Sequence, residues 1–233
     1  MAFIRIEGQK DTAVIFLARP PANAINFELA EELHARLAEL CEKVPAGGMV
    51  VSGEGRMFSG GVDFKAVQNY TNEQRARMIG HINAAITALY GLPTATVAAV
   101  NGHAIGGAFV AVLACDARLA ASTDAKLGLT EVTAGIPYPA CPMEVVKAEI
   151  EPGLRRHLVL SGALMSPQAA HARGLIDELT PQGELLERAV ALARTLASAR
   201  SYATVKQQLK GDALARMRAI ITASSDPMLR HWL

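Results

Sequence analysis

Two glycine-bearing segments, residues 58–64 and 101–107, carry the residue types best suited to chemistry in this chain. The first reads FSGGVDF and the second NGHAIGG, and each follows a short apolar strand and precedes a helix. The first N–H groups of a helix have no partner within it, and glycine lets a backbone approach a ligand closely. Two such turns predict N–H donors that converge on one oxygen, although each alone is also typical of an ordinary tight turn.

Few side chains in or near these turns suggest acid–base or nucleophilic chemistry. Glu131 sits in a turn, where a glutamate is typical of a helix cap or a surface ion pair. His103 lies in the second glycine segment, where a single histidine favours packing or hydrogen bonding. Cys115 and Cys141 have no evident base, and Ser59 has no histidine signature beside it. The residue types alone therefore leave the reaction open.

Alternating strands and helices should position the two turns. Short apolar runs predict strands at residues 3–6, 12–17, 49–52, 96–100, 118–121 and 126–128. Helices are predicted from an Asn26 cap to about residue 44, at 72–90, from Ala108, from a Ser166–Pro167 start to about 174, and at 181–199. The order of strand, glycine turn and helix therefore occurs twice, once around each glycine segment.

Composition excludes several classes of function. The 233 residues are 51% hydrophobic with a net charge of +1, so no basic field for nucleic acid is present. The longest apolar run, residues 104–115, is shorter than the roughly 20 residues that span a bilayer and predicts a buried helix. Three cysteines without ligand spacing predict no metal site. Charges near the N-terminus, where a signal peptide would be apolar, lead us to expect a cytoplasmic protein.

Four segments together resemble motifs of the crotonase (enoyl-CoA hydratase/isomerase) superfamily. FSGGVDF at 58–64 is similar to the element F-x-A-G-x-D-[LI], and VNGHAIGGA at 100–108 is similar to N-G-x-A-x-G-G-G. CDARLAA at 115–121 and the segment 161–177 follow in the family's order. The resemblance spans residues 3–181 and is weak over the last fifty. It implies an α/β fold, a crotonase-like spiral of repeated ββα units with a helical C-terminal part.

The same resemblance implies the organisation and the partners of the protein. We expect a spiral core with the acyl-CoA site at residues 1–195 and a helical segment at 196–233 for packing and oligomerisation. The expected assembly is a homotrimer or a dimer of trimers. The expected ligand is an acyl-CoA thioester, and no separate cofactor is expected because coenzyme A is part of the substrate.

Members of this family bind the thioester oxygen with two backbone N–H groups, which correspond to Val62 and Gly107 here. Removing a proton α to a thioester produces an enolate, and two fixed donors aimed at its oxygen stabilise that charge. The resemblance also implies that Asp63 holds the first loop, and that Ala22 to Ala24 contact the adenine end of coenzyme A. The full set of expected substrate-binding residues is Ala22, Ala24, Gly60, Gly61, Val62, Asp63, Phe64, Gly106, Gly107, Val110 and Tyr138.

Hydratases of the family use two glutamates, and only one of them has a counterpart here. The first maps onto Val110, which cannot transfer a proton but is also an ordinary residue for a core helix. The second maps onto Glu131, within LGLTEVTAGI, a segment similar to G-L-N-E-x-x-x-G-I of mitochondrial-type enoyl-CoA isomerases. We therefore predict isomerisation of 3-enoyl-CoA to 2-enoyl-CoA. The alternatives are hydration, decarboxylation or hydrolysis of an acyl-CoA, or acyl-CoA binding without catalysis.

Two further expectations concern the pocket around Glu131 and the cations near the C-terminus. A pocket around Glu131 formed by Leu127, Leu129, Val132, Ile136 and Val110 should raise the pKa of the carboxyl by desolvation. Four cations near the C-terminus form either a solvated helix face or contacts to coenzyme A phosphates across a subunit boundary; they are Lys206, Lys210, Arg216 and Arg218.

Overall fold

The computed structural model describes residues 2–224 and 226–232, whose strands form two sheets, one of six strands and one of three. The large sheet contains, in spatial order, β1 (Ile4–Gln9), β2 (Thr12–Leu17), β3 (Met49–Gly53), β5 (Thr96–Val100), β7 (Ala117–Ala121) and β9 (Glu178–Thr180). The small sheet contains β4 (Met57–Ser59), β6 (His103–Ile105) and β8 (Leu127–Gly128). β1 and β2 pair antiparallel, and all other neighbours pair parallel.

Helices connect these strands and cover them. They are α1 (Phe27–Glu42), α2 (Phe64–Val67), α3 (Asn72–Gly91), α4 (Gly107–Ala114), α5 (Glu131–Ala134), α6 (Ala140–Glu149), α7 (Pro152–Ser161), α8 (Pro167–His171), α9 (Leu185–Ala197), α10 (Tyr202–Ala223) and α11 (Leu229–Trp232). Asn26 caps α1 by accepting a 3.0 Å hydrogen bond from the Leu29 N–H, as the sequence predicts. α8 ends at His171 and α9 begins at Leu185, so both are shorter than predicted.

The central strands of the large sheet are covered on both faces. Every residue of β2, β3, β5 and β7 is buried, and their sequences are nearly continuous apolar runs, as in parallel sheets packed between two layers. One face contacts the main core, to which α1, α3 and α4 contribute. The other contacts α9 through Leu185, Ala189 and Ala193. The main core therefore lies on the side of the sheet that carries the glycine turns.

The apolar run at residues 104–115 supplies α4, a helix inside the main core. Phe109, Val112 and Leu113 on this helix are fully buried. The first part of the run is strand β6 rather than helix, because residues 103–105 pair with β4 and β8 before the chain turns. No helix within the described ranges is long and apolar enough to cross a membrane.

α10 packs on α3 and α6 of its own chain, and an ion cluster anchors it. The ammonium groups of Lys206 and Lys210 each lie 2.7 Å from a different carboxylate oxygen of Asp116, just beyond α4. Both lysines are less than 10% exposed. The expectation of a solvated face or a phosphate contact is therefore wrong for these two residues, because Asp116 engages both. Arg216 pairs with Glu144 instead.

The C-terminal helical part belongs to the same folded body as the sheets. α9 continues to Ala197, past the predicted core limit at residue 195. α10 covers α3 and α6 and contributes Leu214 and Met217 to the main core. The role of this part in oligomerisation stays a prediction.

Candidate active site

The small sheet brings the two glycine turns and Glu131 together. β4, β6 and β8 are parallel neighbours, and their carboxyl ends lead into the turn at 60–63, the turn at 106–107 and the start of α5. Carboxyl ends of parallel strands meet at one edge of a sheet, which is where α/β proteins commonly bind ligands. Val62, Gly107 and Glu131 accordingly line one cavity at this edge.

Backbone pairing with Ile25 orients the first turn. The Ile25 N–H donates to the Gly61 carbonyl at 2.7 Å, and the Asp63 N–H donates to the Ile25 carbonyl at 2.9 Å. Alternate peptide groups of a strand point to opposite sides, so this pairing directs the Val62 N–H away from Ile25. Among the described residues, the Val62 N–H donates to no protein acceptor. It is therefore available to a ligand.

The second turn presents its N–H group at the start of α4. Gly106 has φ 57° and ψ −127°, a conformation that favours glycine. Its N–H donates to the Gly128 carbonyl of β8 at 2.8 Å, which fixes the turn against the third strand. Gly107 is the first residue of the helix, and its N–H has no acceptor within the described chain. A second donor is therefore available.

The two turns touch each other. A Cβ atom on Gly61, where φ is 78°, would lie 2.5 Å from the carbonyl oxygen of Ile105, directly before Gly106. No side chain fits at that distance, so glycine is required at position 61. Val62 and Gly107, the residues after these two glycines, both line the cavity, as expected for donors that converge on one ligand atom.

Asp63 fastens the first turn to the preceding segment. Its carboxylate accepts a 3.1 Å hydrogen bond from the Ala66 N–H at the start of α2 and lies 2.8 Å from the Arg19 guanidinium. Burial alone would raise the pKa of the Asp63 carboxyl, but the Ala66 N–H and Arg19 together lower it. Arg19 also donates to the Ala24 carbonyl at 3.0 Å. The carboxylate thus links the turn to the segment expected to contact adenine.

Asn23 is a structural residue of the site that sequence reasoning missed. It is fully buried with φ 48°, and its amide donates to the carbonyls of Glu54 and Met57 at 2.9 and 2.8 Å. The Ser59 hydroxyl donates to the Asn23 carbonyl at 2.7 Å. The signal was present, because asparagine tolerates a positive φ and commonly bonds to nearby backbone in turns. Next to it, the Ala22 carbonyl accepts the Gly60 N–H at 2.8 Å.

Two cavities meet at the residues expected to be catalytic, which are Val62, Gly107 and Glu131. The glycine-turn cavity, of about 30 Å³, is lined by both turns and by α5. The apolar cavity, of about 70 Å³, extends among side chains of α1 and α3. Val62, Gly107, Glu131 and Ile136 line both cavities. Within the described chain, Glu131 is the only lining residue of either cavity whose side chain ionises.

Glu131 is a buried carboxylate with few hydrogen bonds to stabilise its charge. It is 5% exposed, and its Oε2 atom has no hydrogen-bond partner among the described residues. Burial raises the pKa of its carboxyl, while its own N–H, the Tyr138 hydroxyl and the Thr130 N–H partly oppose that rise. A Cβ atom on Gly106 would lie 3.3 Å from Glu131 Oε1, so the carboxylate is directly against the second turn. Such a group suits proton transfer near neutral pH.

Tyr138 lies behind Glu131 rather than in the wall of either cavity. Its hydroxyl oxygen is buried and has no aligned hydrogen-bond partner within the described residues. Burial and the neighbouring Glu131 carboxylate raise the pKa of the phenol, so it stays protonated. The cavity walls beside it are formed instead by Ile136 and Pro139.

The residues expected to surround Glu131 differ in their placement. Leu127 and Leu129 are fully buried and Ile136 lines both cavities, but Val132 is 46% exposed. Val132 follows Glu131 in the short helix α5, and successive helical residues point about 100° apart, so Val132 faces outward.

Val110 and Phe64 occupy different places relative to the cavities. Val110 is fully buried in α4, but Ala108 and Ala111 are the residues of that helix that line the apolar cavity together with Gly107. No described residue of α4 supplies a carboxylate. Phe64 is 37% exposed and lines the glycine-turn cavity.

The remaining chemical candidates are engaged elsewhere. His103 accepts a 3.1 Å hydrogen bond from the Lys126 N–H. Burial raises the pKa of the Cys115 thiol to about 12 and that of Cys141 to about 11, so neither is a thiolate nucleophile at neutral pH. No cluster of three or more His, Cys, Asp or Glu residues suited to a metal ion occurs in the described part of the chain.

Comparisons with known proteins agree with this architecture. A family model described as Enoyl-CoA hydratase/isomerase matches residues 7–229. The chain is 30% identical over 187 residues to a probable enoyl-CoA hydratase of Bacillus subtilis, covering 79% of this chain and 72% of that protein. It is 28% identical over 190 residues to the probable enoyl-CoA hydratase EchA17 of Mycobacterium tuberculosis, covering 81% and 72%.

A solved structure shows the same fold. The probable enoyl-CoA hydratase EchA3 of Mycobacterium tuberculosis matches with a TM-score of 0.86 at 25% identity, covering 95% of this chain and 94% of that one. The predicted α/β spiral with a helical C-terminal part is thereby confirmed. The chain belongs to the enoyl-CoA hydratase/isomerase family.

Proposed function

We propose that this protein isomerises a 3-enoyl-CoA to the 2-enoyl-CoA, with Glu131 as the single proton carrier. One observation carries the proposal: the two free N–H groups and an apolar cavity meet at one ionisable side chain. An isomerisation moves one proton between two carbons and adds no water. One carboxylate that accepts and then returns the proton is sufficient for it.

The reaction begins when the thioester oxygen accepts hydrogen bonds from the Val62 and Gly107 N–H groups. The Glu131 carboxylate removes the α-proton, and the electron pair of that C–H bond moves toward the carbonyl to give a dienolate. The two N–H groups stabilise the resulting negative charge on oxygen, an effect worth several kcal/mol. Glu131, now neutral, returns the proton to the γ-carbon, and the double bond forms between the α- and β-carbons.

Hydration is the second candidate, because the relatives in the comparisons are named as hydratases. A hydratase must hold water and supply both a base and an acid. Here the α4 residues that line the apolar cavity are Gly107, Ala108 and Ala111, so that side offers no proton-transferring side chain. We therefore place isomerisation first.

The proposed substrate is an acyl-CoA whose coenzyme A part binds outside the glycine-turn cavity. The half-exposed Phe64 and the carbonyl-bonded segment at Ala22 and Ala24 adjoin the first turn and are the proposed contacts. Gly60, Gly61 and Gly106 would shape the passage of the pantetheine arm. Val110 and Tyr138 would support the acyl side from behind the cavity wall.

We also propose that the chain assembles as a trimer or a dimer of trimers. The described surface carries exposed apolar side chains, among them Leu209 at 80% and Leu160 at 69%. A contiguous apolar patch on a surface commonly marks a protein contact, and we propose that these side chains contribute to one. Sedimentation equilibrium gives the assembly mass directly, and a monomer at micromolar concentration would contradict this proposal.

Ultraviolet absorbance of the conjugated thioester tests the reaction. Purified protein is mixed with a 3-enoyl-CoA and, separately, with a 2-enoyl-CoA. We expect conjugation to appear with the first and no loss of conjugation with the second. Glu131→Gln should lower the isomerisation rate by about 10²-fold or more, since removing a general base costs that much. Glu73→Gln, at an exposed glutamate of α3, is the matched control and should keep the rate.

Three results would contradict the proposal. Rapid hydration of the 2-enoyl-CoA by the unaltered protein would favour the hydratase. Absence of any turnover, together with tight binding of acyl-CoA, would favour a binding protein. Isomerisation that survives Glu131→Gln would show that another group carries the proton.

A further inference from the structure

The segment after α10 returns to the apolar cavity. α10 ends at Ala223, and two residues of the short stretch that follows, Asp226 and Met228, are buried, at 6% and 2% exposure. The Met228 side chain lines the apolar cavity. The last part of the described chain therefore supplies a piece of the wall.

A single carboxylate holds this segment in place. Asp226 Oδ2 accepts hydrogen bonds from the Asn83 side-chain amide at 2.7 Å and from the Ala140 N–H at 2.8 Å. Its Oδ1 accepts the Met228 N–H at 2.8 Å. Asn83 belongs to α3 and Ala140 begins α6, so the carboxylate joins both helices to the segment. The side-chain Oδ1 of Asn83 also accepts the Cys141 N–H at 3.1 Å.

The hydrogen bonds of Asp226 place Met228 where α3 and α6 meet. Ile82, beside Asn83, and Pro142, beside Cys141, line the same cavity as Met228. The three side chains come from three different elements and form one apolar wall. Methionine is unbranched and flexible, and it fills irregular gaps in such walls.

The position of the thioester fixes which part of the cavity an acyl chain can use. A thioester oxygen bound to the Val62 and Gly107 N–H groups lies at the junction of the two cavities. From there, the acyl chain must extend along the apolar walls, since that is the space the junction opens into. The wall that Met228 completes therefore limits how many methylenes are buried.

We propose that Met228, held by Asp226, sets the longest acyl chain that the apolar cavity accepts. This inference rests on the acyl-CoA specificity in the proposed function, but not on isomerisation. A chain shorter than the limit gains affinity with each added methylene, because each one leaves water. A longer chain meets Met228 and gains nothing further.

Calorimetric binding of saturated acyl-CoAs, from about 4 to about 12 carbons, tests the proposal without turnover. For the unaltered protein we expect the affinity to rise about fourfold per methylene and then to stop rising at one chain length. Met228→Ala removes three heavy atoms from the wall. It should move this break to chains roughly two carbons longer. Asp226→Ala should move the break in the same direction, because it releases the segment.

The matched control is Leu229→Ala, which alters the same segment at a residue outside the apolar-cavity lining. In this variant the affinity should stop rising at the same acyl chain length as in the unaltered protein. A Met228→Ala protein that unfolds cooperatively and keeps the original break would overturn the proposal. If saturated acyl-CoAs bind and the break moves while no enoyl-CoA is isomerised, the proposed reaction fails and this inference stands. If no acyl-CoA binds, both fail.

Discussion

The hydroxyl of Tyr138 lies beside the carboxylate of Glu131, and both groups are buried. Tyr138 Oη and Glu131 Oε2 each have no aligned hydrogen-bond partner among the described residues. Hydrogen bonds around a catalytic group are often poorly aligned without substrate and tighten in the complex. The Tyr138 hydroxyl lowers the pKa of the Glu131 carboxyl, against the larger effect of burial, which raises it.

Tyr138→Phe should therefore raise the pKa of Glu131. A hydrogen bond to the charged form of a group favours that form, so its loss raises the pKa. Because the proposed reaction needs the ionised carboxylate, the acid limb of the kcat/KM profile should move to higher pH. Rates measured across the pH range with a 3-enoyl-CoA check this.

Tyr70→Phe is the control for that experiment. Its hydroxyl accepts a 3.1 Å hydrogen bond from the Phe27 N–H, away from both cavities. Its acid limb should match that of the unaltered protein. An unchanged limb in Tyr138→Phe would mean that the phenol does not influence the carboxylate during catalysis.

Glu131→Gln should stabilise the folded protein at neutral pH. The folded pKa of this carboxyl lies above its ordinary value of 4.5, so the folded state holds its proton to higher pH than the unfolded chain does. Stability contributed by this group is consequently lost as the pH rises from 4.5 through the folded pKa. Glutamine has no such loss, and we expect the free energy of unfolding to be higher than that of the unaltered protein at pH 7.

Urea unfolding at pH 7 and below pH 4.5 tests whether Glu131→Gln stabilises the folded protein as expected. The difference between the variant and the unaltered protein should vanish at the lower pH, where the carboxyl is neutral in both states. A variant that is less stable at both pH values would show that the glutamate is held by interactions stronger than its desolvation.

Gly106→Ala and Gly107→Ala form a matched pair at adjacent positions. A Cβ on Gly106 would lie 3.3 Å from Glu131 Oε1 at φ 57°, whereas a Cβ on Gly107 would meet no atom within 4 Å. We expect Gly106→Ala to lose about 1–3 kcal/mol of unfolding free energy, the cost of such a backbone conformation. Gly107→Ala should change it little, as thermal or urea unfolding would show. Equal losses would contradict the geometry of the turn.

In the cluster of Asp116, Lys206 and Lys210, we expect two substitutions to lower the free energy of unfolding by unequal amounts. Asp116→Asn leaves two buried ammonium groups without their carboxylate, and we expect a loss of about 3–5 kcal/mol. Burial lowers the pKa of Lys206, and Lys210 lowers it further, so Lys206→Met removes a costly charge. It should cost much less than Asp116→Asn in urea unfolding at neutral pH. A larger loss for Lys206→Met would show that its bond to the Thr94 carbonyl dominates.

The sequence predicts the large sheet well and the small sheet poorly. β2 and β5 occur at their predicted bounds, because buried parallel strands are continuous apolar runs. β4 and β6 have three residues each; β4 overlaps the start of the predicted glycine turn at 58–64, and β6 lies within the one at 101–107. Such short strands leave no alternating pattern, and their pairing joins residues about 45 positions apart.

The residues of the candidate site could be predicted from the sequence, but the burial and orientation of side chains could not. The glycine segments and Glu131 follow from motifs, and the structure places them around one cavity. The burial of Lys206 depends on Asp116, 90 residues earlier, and nothing near the lysine indicates it. The outward position of Val132 depends on a single helical turn that begins at Glu131.

The three short parallel strands have a consequence for how such a protein changes over generations. Two of the three groups at the cavity are main-chain N–H groups, which every residue except proline retains, so most substitutions at positions 62 and 107 leave them in place. A lineage that keeps glycine at positions 61 and 106 inherits both donors. New reactions can then arise by exchange of single side chains, such as that at position 131, on an unchanged scaffold.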